Sequence, residues 1–317
     1  MESLVQWEYQ GRAPIGGVLL VTPMHLLVFV TVADKKNFSR AAEALSLTQP
    51  AISQQIHSLE EYYGSKLFER TSKRVELTRS GETLLPYAKR ILELSAAAKG
   101  AVDDLSGRVT GRMTIGATLT IGEYILPQLL AEYTKLYPEV EVEMMIANTE
   151  EIGEMALDHR LDAALVEGRF AHKTLTLTPF LEDEMLLIAP GDHPLAAKGS
   201  ITVADLARES FVLREAGSGT RVVAEEVLRS LGVQPTKMYA FGSTQAIKEA
   251  VEAGMGLTIL SKWCIRKEES FGTLKRLLVP GFTFSRPLWV MERPGQFQTR
   301  AVAEFTSLVH SYAYPTA

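Results

Sequence analysis

Apolar residues in the first third of the chain recur at helical spacing in three short bursts. Leu26, Phe29, Val30 and Ala33 share one face of a first helix. Ala41, Ala42 and Leu45 do the same in a second, for which Ser39 is a suitable cap. A turn over 46–48 follows. Thr48 can cap a third helix whose first turn holds Pro50, where a missing N–H costs nothing, and Ile52, Ile56 and Leu59 form its apolar stripe. At Val75 and Leu77 the rhythm shortens to alternation, which predicts a strand in a hairpin with Lys73 and Arg74 near its tip. Leu84, Ala88, Ile91, Ser95, Ala98, Val102 and Leu105 are then spaced alternately by four and three. That is a heptad seam in a long helix capped by Thr78 or Ser80, and it suits pairing with a second copy. It also suits one amphipathic helix packed on its own domain.

From Met113 the pattern becomes strand, turn, helix, repeated. It predicts strands over 113–116, 140–147, 161–166, 237–241 and 257–260, and helices over 123–137, 149–160, 220–231, 244–254 and 296–312. Such alternation implies an α/β unit with a largely parallel sheet and helices on its faces, with a second lobe beginning near Ile188.

The polar positions carry the candidate chemistry. Opposite its apolar stripe, the third helix presents Gln49, Pro50, Ser53, Gln54 and His57. This face is polar, short-chained and uncharged, as a helix lying in a DNA major groove requires. Arg70, Lys73 and Arg74 are placed to meet phosphates from the hairpin, with Ser39 and Thr48 at the preceding helix starts. A protein-binding module could present the same faces. In the α/β part, four strand-to-helix junctions carry small hydroxyls or amides: Thr118 with Thr120, Asn148 with Thr149, Ser218 with Gly219 and Thr220, and Ser243 with Thr244. Ligands bind at such carboxyl ends of strands, and helix N-termini there favour a small anion. Capping alone would also explain each junction. Glu167, just past a strand, either faces the same cleft, accepting a hydrogen bond from a protonated oxyanion or an amine, or lies on a surface loop.

Charge and composition sharpen this division. The net charge is −5, yet residues 34–90 hold ten Lys or Arg against seven Asp or Glu. A basic front and an acidic back suggest a nucleic-acid module fused to something else. Hydrophobic residues make up 46% and charged residues 22%, an ordinary globular balance. The single cysteine, Cys264, excludes a disulfide framework and a Cys-rich metal site, and makes a cytoplasmic location the default. No apolar run has the length of a membrane span, and Glu2 and Glu8 outweigh Arg12 ahead of the short apolar patch at 18–21, unlike a secretory signal. The six histidines show no metal-ligand spacing and no Gly-x-Ser-x-Gly elbow exists, so no catalytic residue, metal or cofactor is expected.

The run Phe38-Ser39-Arg40-Ala41-Ala42-Glu43-Ala44-Leu45-Ser46-Leu47-Thr48-Gln49-Pro50-Ala51-Ile52-Ser53-Gln54-Gln55-Ile56, continued by Leu67-Phe68-Glu69-Arg70 and Leu77-Thr78, closely resembles the winged helix-turn-helix of LysR-type transcriptional regulators. The resemblance extends from about Met24 to the C-terminus. It implies an N-terminal extension over 1–23, a winged helix-turn-helix over 24–79, and a linker and dimerisation helix over 80–106. It further implies a periplasmic-binding-protein-like effector domain, with lobe I over 112–187 plus 287–312 and lobe II over 188–286. The implied partners are double-stranded operator DNA, a small anionic effector and a second copy in a homodimer or homotetramer, with RNA polymerase a candidate and no membrane. The segments at 116–124, 148–152, 166–168 and 214–221 resemble the CysL-like branch, close to CbbR. A sulfur oxyanion such as sulfite is the first effector this suggests, and a phosphorylated metabolite the second. A hydrolase or a solute-binding protein using the same cleft is the alternative from another class.

Overall fold

The structure is a computed structural model and describes residues 21–70, 74–104, 108–168, 170–198, 201–280, 283–295 and 298–314. The chain divides into two compact units, 1–98 and 99–317.

In the first unit, α1 (Pro23–Lys35), α2 (Phe38–Ala44) and α3 (Gln49–Tyr63) are followed by the hairpin of β1 (Phe68–Arg70) and β2 (Val75–Leu77). The long α4 (Arg79–Asp104) comes next and continues past the unit boundary. α1 takes in Pro23, which the sequence pattern leaves in the extension. The buried stripe of α3 is Ile52, Ile56 and Leu59, and it meets Leu26, Phe29 and Val32 of α1 and Ala41 of α2 in one core. Phe68 closes that core from the wing, its ring 5.4 Å from Phe29 and 5.8 Å from Phe38. Thr78 caps α4, accepting the Gly81 N–H at 3.1 Å.

The expected seam on α4 divides between two faces. Leu84 and Ala88 are buried in the core of their own unit. Their burial is spent on the core of their own unit. The exposed apolar ridge is instead Tyr87, Ile91, Leu94 and Val102, with Ala98 and Ser95 exposed beside it. Leu105 lies outside the described residues.

The second unit is two-lobed. Its elements are β3 (Gly111–Thr118), α5 (Leu126–Leu136), β4 (Val140–Ala147), α6 (Thr149–Leu157), β5 (Ala163–Val166), β6 (Thr176–Pro190), α7 (Val203–Leu206), β7 (Ser210–Arg214), α8 (Gly219–Ser230), β8 (Lys237–Phe241), α9 (Thr244–Glu252), β9 (Thr258–Ser261), α10 (Arg266–Phe271), β10 (Leu274–Arg276), β11 (Phe284–Glu292) and α11 (Arg300–Ser311). A π-helical turn, Ile121–Ile125, leads into α5. β6 and β11 run antiparallel to each other and cross between the lobes: β11 also pairs with β5 in lobe I, and the far end of β6 pairs with β9 and β10 in lobe II.

The sheet is therefore mixed rather than largely parallel. β3 is parallel to β4 and β5, and β7 to β8, while both crossing strands pair antiparallel. The physical reason is the connection: a strand that leaves one lobe and a strand that returns must run in opposite directions. Lobe I packs Met113, Ile115, Leu129, Tyr133, Leu288 and Phe305 together, and lobe II packs Phe211, Leu213, Ala224, Leu257 and Ile259. Among the described residues no helix is long and apolar enough to cross a membrane.

Candidate functional site

The exposed polar face of α3 follows from the fold of that helix. Burial of Ile52, Ile56 and Leu59 turns Gln49, Pro50, Gln54 and His57 to solvent, with Ser53 half-buried beside them. Gln49 Nε2 donates to Ser53 Oγ at 3.2 Å, and His57 Nε2 lies 3.4 Å from Glu61 Oε1. Thr48 is exposed and caps α3 by accepting the Ala51 N–H. Ser39 is exposed but caps nothing. It lies inside α2, and Asn37 is the cap, accepting the Arg40 N–H at 3.0 Å. Asn37 wins because it stands one position before the first helical residue, where an acceptor reaches the free N–H groups. Arg70 ends β1, Arg74 Nη1 is 3.5 Å from Glu76, and Lys73 lies outside the described residues.

Glu60 is a further residue that the periodicity of the chain does not single out. It is 5% exposed, accepts Lys66 Nζ at 2.6 Å and the Leu67 N–H at 3.0 Å, and so ties the end of α3 to the base of the wing. Burial pushes its carboxyl up, but the Lys66 ammonium and the backbone donors outweigh this and hold it below its ordinary range. The signal was a Glu one residue after the last apolar position of the stripe. Glu60→Ala leaves the Leu67 N–H unsatisfied and should cost about 1–3 kcal/mol in thermal or denaturant unfolding. Because the folded carboxyl is the stronger acid, its contribution is present above the unfolded pKa of about 4.3 and is lost as pH falls through the lower folded value. The variant should therefore approach the parent in stability at acid pH.

The cleft between the lobes of the second unit gathers most of the junction residues around Glu167. Thr118 Oγ1 accepts the Glu167 N–H at 3.1 Å. Glu167 Oε1 accepts the Thr120 N–H at 2.5 Å, and Oε2 accepts the Thr220 hydroxyl at 2.5 Å. Thr149 Oγ1 accepts the Gly219 N–H at 3.3 Å. Ser218 is buried at the start of α8. Asn148 and Ser243 serve as caps of α6 and α9, and Thr244 is buried. Among the described residues none of these three bonds to Glu167.

Two residues complete the network. Arg286 on β11 donates to Asp183 Oδ2 at 2.9 Å, to Thr220 Oγ1 at 2.9 Å and to Thr120 Oγ1 at 3.3 Å, and lies 3.2 Å from Glu167 Oε2. Asp183 is its cross-strand neighbour on β6 and also accepts from Ser261 at 2.6 Å. All three charges are at most 3% exposed. Burial pushes the Glu167 carboxyl up, but Arg286 and the two threonines prevail and hold it low. For Asp183 burial prevails and the carboxyl is raised.

The network makes Glu167 a cleft residue rather than a surface one. It also occupies the Thr120 N–H and the Thr220 hydroxyl, two donors that an anion would use. At 4 Å and an effective dielectric of 20, two like charges repel by about 4 kcal/mol, so a further anion beside Glu167 would be costly. Among the described residues the other buried cations are paired as well: Arg214 donates twice to Glu215 at 2.7 Å, and Lys248 donates to Glu268 at 2.7 Å. Beside the network lies a cavity of about 700 Å³ lined by Thr149, Glu167, Phe170, Gly219, Val222 and Trp289, among others. Burial raises the Cys264 thiol far above its usual range, with Glu167 adding to this, so it is a packed group rather than a nucleophile.

Three short helices with a wing, followed in one chain by a two-lobed α/β unit, are the layout of effector-responsive DNA-binding regulators. Residues 24–82 match the bacterial regulatory helix-turn-helix protein, lysR family, and residues 106–313 match the LysR substrate binding domain. The chain belongs to the LysR family of DNA-binding transcription regulators. It is similar to the HTH-type transcriptional regulator CysL of Bacillus subtilis, with 39% identity over 90% of this chain and 96% of that one. It is likewise similar to the HTH-type transcriptional regulator CbbR of Rhodospirillum rubrum, with 37% identity over 86% of this chain and 92% of that one. Among solved structures it resembles the Synechocystis PCC6803 CcmR regulatory domain in complex with 2-PG, with a TM-score of 0.60 and 30% identity over 64% of this chain and 97% of that one.

Proposed function

We propose that the chain acts in the cytoplasm as a self-paired regulator whose two copies of α3 read an interrupted palindrome near a promoter. Gln49, Pro50, Ser53, Gln54 and His57 meet base edges, while Arg70, Lys73 and Arg74, with Ser39 and Thr48, hold phosphates. The observation that carries this is the uncharged polar face of α3, turned outward by three fully buried apolar residues. The exposed ridge of Tyr87, Ile91, Leu94, Ala98 and Val102 on α4 is the pairing surface, giving a homodimer or a homotetramer.

The effector is a small anion bound at the junction donors around Thr118, Thr120, Thr149 and Ser218–Thr220. A sulfur oxyanion such as sulfite is the first choice and a phosphorylated metabolite the second. Likeness to CysL supports the first and likeness to CbbR the second, together with a related domain solved with 2-PG. Calorimetry or thermal shift of the full chain with sulfite, sulfate, inorganic phosphate and phosphorylated sugars tests this reading. Sulfite or a phosphate compound is expected to raise the unfolding temperature. A flat response to the whole panel, beside stabilisation by an aromatic acid, would contradict it.

A further inference from the structure

Glu167 touches donors from both lobes at once. Its Oε1 takes the Thr120 N–H of lobe I, and its Oε2 takes the hydroxyl of Thr220, in the first turn of α8 in lobe II. The Thr120 N–H lies at the start of the helical stretch that begins at Leu119 and runs on through the π-helical turn, where no intrahelical acceptor is available. A carboxylate there does what a bound anion would do. A second observation is independent of charge. The backbones of Gly168 and Gly219 meet so closely that a Cβ on Gly219 would stand 2.7 Å from both Cα and N of Gly168. That contact places Glu167, one residue away, against the start of α8.

We propose that Glu167 is a tethered anion that clasps the two lobes, and that an anionic effector binds by taking its place on the Thr120 N–H, the Thr220 hydroxyl and Arg286. This rests on the anionic-effector reading above. The charge balance requires exchange rather than addition. Arg286 already faces Asp183 and Glu167, and a third anion on the same buried donors would leave one cation against three negative groups. Exchange has somewhere to go, because Glu167 borders the 700 Å³ cavity. It also leaves the fold intact, since the Arg286–Asp183 pair continues to hold β11 against β6. Closure of the lobes then depends on the shape of the incoming anion instead of on the Glu167 side chain.

The test uses the full chain and two variants, Glu167→Gln and Gly219→Ala. The first removes the charge with little change in size. The second wedges the glycine contact and leaves the carboxylate in place. Hydrogen exchange over residues 118–124 is followed in buffer free of phosphate and sulfur oxyanions, and binding of sulfite and of inorganic phosphate is measured by calorimetry. Exchange at Thr120 is expected to rise at least tenfold in both variants, and Glu167→Gln is expected to bind one of the two anions at least tenfold more tightly than the parent. Unchanged exchange in both variants overturns the clasp. Weaker anion binding in Glu167→Gln also overturns it, because Glu167 would then be accepting a proton-bearing ligand rather than competing with it. Faster exchange with no anion bound by any form leaves the clasp standing and overturns the anionic-effector reading, and with it the replacement of Glu167 by an anion.

Discussion

Ile91→Asp together with Leu94→Asp is expected to convert the protein to monomers and to lower its affinity for a two-half-site duplex by about 10²–10⁴-fold. Both side chains are exposed, Ile91 at 45% and Leu94 at 70%, so the change should cost the isolated chain little stability. Its effect falls on pairing. Two charges facing their own copies across a helix seam lose apolar burial and gain like-charge repulsion. Without pairing, each recognition helix binds its half-site alone and the gain from tethering disappears. Leu84→Ala provides the contrast. Leu84 is 8% exposed within the core of the DNA-binding unit, so its truncation should destabilise that unit by about 2–5 kcal/mol while folded protein stays paired. Sedimentation of both variants, beside their unfolding curves, separates the two faces of α4.

Gln54→Ala is expected to weaken binding to a preferred site by about 1–3 kcal/mol per half-site and to leave random duplex almost untouched. Gln54 is exposed in the middle of α3, one turn beyond Pro50 and on the face away from Ile52 and Ile56. A glutamine there can make two hydrogen bonds to one base edge, and alanine makes none. Arg74→Ala should behave oppositely. Its guanidinium is 77% exposed on the wing, so it should lower affinity for preferred and random DNA alike and reduce the salt slope by about 1. Competition binding against both duplexes over a salt series reads both variants. Equal site preference in Gln54→Ala and the parent would show that the reading face lies elsewhere.

Local patterns made the first unit legible. A 3.6-residue stripe, a threonine cap and a proline in the first turn fixed α3 almost residue by residue. The α4 seam was harder for a physical reason. Leu84 and Ala88 satisfy the heptad spacing but spend it on their own domain, and spacing alone does not say which neighbour a helix face meets. Ser39 and Asn37 are both able caps, and only the backbone decides between them.

The cleft was legible in its parts and not in its wiring. Strand-to-helix junctions identified Thr120, Thr149 and Thr220, but not that two of these hydroxyls would be spent on Glu167 and Arg286. β6 hides a buried charge. Its centre, Glu182-Asp183-Glu184, has the composition of a loop, yet Asp183 is 0% exposed because Arg286, 103 residues away, lies opposite it. An arginine within the apolar run of β11 was the signal for that pairing. Recognising it needs the register of two distant strands, which no local pattern carries. The same strands explain why the sheet is mixed.

Protection of a two-half-site duplex from DNase, followed through an anion titration, tests the account most directly. It predicts two protected half-sites at every anion concentration, with the spacing or extent of protection changing as sulfite or a phosphate compound saturates the effector unit. Protection of a single half-site, or a footprint unchanged at anion concentrations shown by calorimetry to saturate the protein, would contradict it.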